Sequence, residues 1–145
     1  MKTGTGHLGT RKCNMKRDLY SRIKRSANKA KDATGCKIDA EIKELVVLLN
    51  CMGIKTVASC QGHVDYGYKY HWIDFKFDVN SNKKMNSLLR MCFKDARPYE
   101  IDCLYDCDGK SLIGRLQPIV KTNIKKSNEY KKKFELFLKN KYRKI

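Results

Sequence analysis

Nowhere in its 145 residues does the chain offer an apolar run long enough to cross a membrane. Its first residues also lack the apolar core and small-residue cleavage site of a secretory signal. These absences predict an intracellular, cytoplasmic protein with no membrane partner. The seven cysteines are odd in number and irregular in spacing, which argues against a disulfide framework and for thiols kept reduced. No internal repeat is visible. Acidic side chains are scarce, 15 against 32 Lys and Arg, and the scarcity is local. Residues 1–37 hold eleven basic and two acidic side chains, residues 121–145 hold ten and two, and residues 38–120 hold eleven of each. The formal charge of +17 therefore sits on the two ends of a neutral middle. Such a field gathers polyanions at the surface without specifying a fold.

A chain of this length suits one domain with a core large enough to fold without metal or disulfides. Glycines and the want of apolar periodicity predict a flexible tail over residues 1–15, with a single domain over 16–145 and its core within 38–120. From Arg17 to Ala33, Leu19, Tyr20, Ile23, Ala27 and Ala30 recur at helical spacing until Gly35. Asp39 is a candidate N-cap for a helix whose Ile42, Leu45, Val46, Leu49 and Met52 share a face, ended by Gly53. Residues 54–59 read as a buried strand. His71, Ile73, Phe75, Phe77 and Val79 alternate with polar positions as a second strand. Ser81 can cap a helix carrying Met85, Leu88, Leu89 and Cys92, which Pro98 prevents from continuing. Residues 99–105 and 111–120 form two strands around an Asp108-Gly109 turn, and residues 123–142 form a helix with Tyr130, Phe134, Phe137 and Leu138 on one stripe. The expected class is α+β: a four-stranded, antiparallel-rich sheet with helices packed on one face, in the order ααββαββα.

Gly4-Thr5-Gly6-His7-Leu8-Gly9 spells a dinucleotide fingerprint, but only three residues precede it, too few for the strand that motif requires. No cofactor is predicted. Five aspartates, Asp74, Asp78, Asp102, Asp106 and Asp108, could form a metal-dependent nuclease centre or merely solubilise strand edges; none has a lysine or histidine partner in a recognisable motif.

Cys60-Gln61-Gly62-His63 places a thiol, an amide, a flexible glycine and an imidazole where a strand gives way to a loop. Cys60 and His63 are the candidates for a nucleophile pair. With Cys103 and Cys107 they are candidates for a zinc site. Two further readings are a structural turn around a buried Cys60 and a turn whose backbone contacts an anion. The longer run, Ile54-Lys55-Thr56-Val57-Ala58-Ser59-Cys60-Gln61-Gly62-His63, resembles small phage-type proteins with an Ile-x-Thr-x-x-Ser-Cys-x-Gly-His element. More remotely, Ser59-Cys60-Gln61-Gly62 is similar to the Ser-Cys-Ser-Gly-Arg element of the tRNA wybutosine-synthesising protein 3 family of RNA-modifying methyltransferases. Here Gln61 and His63 stand where that family has serine and arginine. The first resemblance implies a phage or mobile-element protein acting on host nucleic-acid machinery, including inhibition of an RNA-guided defence complex. The second implies an RNA-modifying enzyme centred on Cys60 and His63.

Tyr66, Tyr68 and Tyr70 interleave with Lys69 just before Trp72, a pattern suited to stacking unpaired bases while a cation holds phosphate. Arg17, Arg22, Lys24, Arg25, Lys29 and Lys31 in the first basic segment, with Lys125, Lys126, Lys131, Lys132 and Lys133 in the last, are the candidate phosphate contacts. The partners expected are RNA, single-stranded DNA or a nucleoprotein complex.

Overall fold

Among the described residues, four helices and four strands follow one another as ααββαββα, the order read from the periodicity of the sequence. The computed structural model describes residues 3–31, 35–63, 69–106, 108–119 and 122–144. Helix α1 spans Thr3–Lys29, α2 Ala40–Cys51, α3 Val79–Cys92 and α4 Ile124–Lys144. The strands are β1 Thr56–Cys60, β2 Trp72–Lys76, β3 Tyr99–Tyr105 and β4 Leu112–Pro118. All three pairings are antiparallel and the sheet order is β1-β2-β4-β3, which leaves β1 and β3 at opposite edges.

Alternation along each strand divides the sheet into two faces. Ile73, Phe75 and Leu116 are buried on one face together with Ile42, Leu45, Leu48 and Leu49 of α2, Met85 and Leu88 of α3, and Phe134 and Leu138 of α4. The core thus extends beyond residues 38–120 and includes the basic C-terminal helix. On α4 the fully buried stripe runs through Ser127, Lys131, Phe134 and Leu138, successive steps of the 3.6-residue period. Gly114 lies opposite Phe75, and a Cβ there would meet the Phe75 ring at 2.5 Å. Gly114→Ala is expected to cost about 1–3 kcal/mol through forced repacking, measurable as a lowered denaturant midpoint; an unchanged midpoint would show that the ring can yield.

Several boundaries differ from those expected. Helix α1 begins at Thr3, so residues 3–15 of the segment read as a tail are helical backbone, and it ends at Lys29. Extending an existing helix adds a hydrogen bond per residue without repeating the nucleation cost, which lets glycine-containing sequence follow. Strand β2 stops at Lys76 because Asp78 accepts from the Ser81 backbone N–H at 2.8 Å while the Ser81 hydroxyl accepts from the Asp78 N–H at 2.9 Å. This reciprocal cap starts α3 at Val79 and makes Asp78, not Ser81, its N-cap.

His71, immediately before β2, is 2% exposed and its Nε2 lies 2.7 Å from the Tyr99 hydroxyl. Burial first, then the Lys131 ammonium, push its imidazole down to about 3. An unfolded histidine titrates near 6.5, so acid protonates the unfolded chain before the folded one. This contribution to stability is complete above about pH 6.5 and is lost, at up to about 1.4 kcal/mol per pH unit, as pH falls toward 3. Denaturation at stepped pH should show that slope, and His71→Phe should flatten it.

Candidate functional site

Two regions carry the residues singled out in the sequence. The first lies where β1 leaves the sheet edge beside the N-terminus of α2. Gly62 has φ +90, and a Cβ on it would sit 2.5 Å from the Lys69 carbonyl oxygen and 2.9 Å from the Tyr70 carbonyl carbon, so the turn closes only with glycine. The turn and the helix are cross-linked twice. The Gln61 backbone N–H donates to Asp39 Oδ2 at 3.0 Å, and the Glu41 backbone N–H donates to Gln61 Oε1 at 3.2 Å. Asp39 holds the N-cap position of α2 yet makes no side-chain cap of its own helix. The amide of Gln61 caps α2 in its place, and the carboxylate faces the turn.

The result is a cluster absent from the sequence reading. One ligand-type atom from each of Asp39, Cys60 and His63 lies within 4.8 Å of the others, and all three residues are half-buried. The Gly62 N–H also points at Cys60 Sγ, 3.4 Å away. Cys60 and His63 are therefore neighbours, as both the nucleophile and the metal readings require. Cys103 is not among them. It lies on β3, three strand spacings or about 14 Å across the sheet from β1, and is exposed. Cys107 lies outside the described residues, as do Tyr66 and Tyr68.

Among the described residues, no metal-holding cluster gathers these aspartates: Asp78 caps α3, and Asp102 accepts from Gln117 Nε2 at 2.7 Å. Asp108 is held below the usual carboxylate range by the Ser111 hydroxyl and by the backbone N–H groups of Ser111 and Lys110. Asp74 accepts from Arg115 Nε at 2.7 Å and Nη2 at 2.9 Å, and the same guanidinium lies 4.3 Å from the Trp72 ring centroid. Trp72 therefore packs against Arg115 on the sheet face opposite Phe75. Tyr70 is tied down, its hydroxyl donating to the Thr122 carbonyl at 2.6 Å, whereas Lys69 is exposed.

The second region is formed by the basic helices. Arg17, Arg22, Lys24, Arg25, Lys29 and Lys31 are all exposed, as are Lys125, Lys126, Lys132 and Lys133. Lys131 departs from the expectation: it is 6% exposed and its ammonium donates to the Glu41 carbonyl at 2.9 Å, fastening α4 to α2. Its place between Ser127 and Phe134 on the buried stripe was the available signal. The far end of α4 reaches α1, where the Tyr142 hydroxyl donates to the Lys16 carbonyl at 2.7 Å. Between them runs a groove of about 670 Å³ flanked by Lys16, Arg17, Lys139 and Arg143, with Tyr20 and Tyr142 in its lining. The Tyr20 hydroxyl donates to both carboxylate oxygens of Glu44, at 2.8 and 2.9 Å, which secures α1 to α2.

An α+β protein with a half-buried Asp-Cys-His cluster and a basic groove between its first and last helices is the class these features define. No protein-family model matches the sequence, and neither any curated protein nor any solved structure does.

Proposed function

We propose that the protein binds single-stranded nucleic acid, RNA in particular, through the exposed cations of α1 and α4. The supporting observation is the joining of the two helices at Tyr142 and Lys16, which turns two basic segments distant in sequence into the walls of one groove. Neutralising successive phosphates needs several cations on one continuous surface and little else. The aromatic lining of the groove adds surfaces on which bases can stack. With the phage-type resemblance, this reading extends to action on host nucleic-acid machinery, including inhibition of an RNA-guided defence complex.

The test is fluorescence anisotropy with a labelled single-stranded RNA, comparing the parent with a variant carrying alanine at Lys16, Arg17, Lys139 and Arg143. Equal affinity of the two would sink the proposal. A second reading, an RNA-modifying or thiol-dependent enzyme, is favoured by the convergence of Cys60 and His63. Turnover abolished by Cys60→Ser with RNA affinity intact would select it.

A further inference from the structure

We propose that Asp39, Cys60 and His63 bind one zinc ion. A carboxylate, a thiolate and an imidazole are three of the donors zinc takes, and magnesium or calcium would demand oxygen at every position. In a tetrahedral site with bonds of about 2.0–2.3 Å, ligand atoms stand about 3.5 Å apart. The three atoms already lie within 4.8 Å of one another, so closure onto the ion needs movements of roughly an ångström, within reach of side-chain rotation. Three protein ligands leave a fourth position to solvent, the arrangement of zinc sites that admit a further ligand.

The surroundings of the ligands independently favour a metal. A carboxylate that binds zinc is commonly steadied by a hydrogen bond from the surrounding protein, and Asp39 Oδ2 accepts from the Gln61 N–H at 3.0 Å. A zinc thiolate gains from a nearby N–H, and the Gly62 N–H lies 3.4 Å from Cys60 Sγ. Most telling is the behaviour of Asp39. Aspartate at an N-cap ordinarily accepts from its own helix, yet here that task falls to Gln61 and the carboxylate is turned to the thiol and imidazole. On binding, the Cys60 S–H bond breaks, its proton passes to solvent and the sulfur lone pair forms the bond to zinc; no oxidation is involved. The ion would tie the end of β1 to the start of α2.

Full-length protein, reduced and stripped of metal by chelation, is titrated with Zn²⁺ against a chromogenic chelator and separately with Co²⁺ followed by absorbance. One Zn²⁺ per chain is expected, and the Co²⁺ form should show a thiolate-to-metal charge-transfer band with the strong visible bands of four-coordination. Cys60→Ser and His63→Ala should each weaken Zn²⁺ binding by about 100-fold or more, since even residues that merely orient a ligand are worth about 10–100-fold. Cys60→Ser should also abolish the charge-transfer band, and Cys103→Ser should change neither readout. Absence of stoichiometric binding, a Co²⁺ spectrum of the parent protein without thiolate character, or unchanged affinity in folded Cys60→Ser would each overturn the assignment.

Discussion

Affinity for single-stranded RNA is expected to fall roughly 300-fold as monovalent salt rises from about 50 to about 200 mM, because about six neutralised phosphates give a logarithmic slope near −4. Replacing Lys16, Arg17, Lys139 and Arg143 with alanine should reduce the magnitude of that slope by about 3, one increment of about 0.7 per lost phosphate contact. Lys131→Met is the instructive control. Its ammonium is spent on the Glu41 carbonyl inside the protein, so the slope should stay unchanged even though α4 loses that hydrogen bond to α2. A slope that responds to Lys131 but not to the four groove cations would place the binding surface elsewhere.

The second large effect concerns the turn. Gly62→Ala should destabilise the protein by about 3 kcal/mol or more, since the new methyl group meets a costly backbone angle and backbone atoms that cannot rotate away. Gly109→Ala separates the two causes. Gly109 has φ +69, also in the left-handed region, but nothing lies within 4 Å of its missing Cβ, so only the conformational cost of about 1 kcal/mol remains. Chemical denaturation of both variants gives the comparison directly. Equal losses would mean that the approach of residues 69–71 to Gly62 is relaxed at little cost.

Much of the fold is legible from local signals. The glycine after α2, the alternation at Ile73 and Phe75 and the Asp108-Gly109 turn each speak through the backbone geometry of a few consecutive residues, and the element order follows from them. The misjudged boundaries are those where two local preferences compete. Val79 continues an alternating pattern, but the reciprocal cap between Asp78 and Ser81 starts a helix there, and Val79 is left 69% exposed. Lys131 shares a lysine run with exposed neighbours, where charge is the stronger local cue, although helical phase places it inward.

The candidate sites needed the third dimension. Cys60 and His63 could be singled out together because a turn joins them, but Asp39 lies more than twenty residues earlier and looks in sequence like an ordinary N-cap. What redirects it is the pairing of Gln61 with the first turn of α2, a contact between segments that only the packed sheet and helix bring together. Cys103 was excluded by the same means, since strand order alone sets its distance from β1. By itself the sequence determined the α+β class, the element order and the confinement of positive charge to two segments, because periodicity and composition are properties of neighbouring residues. Tertiary structure alone decided that those segments share a groove and that a carboxylate joins the thiol and imidazole, because both depend on long-range packing around one core.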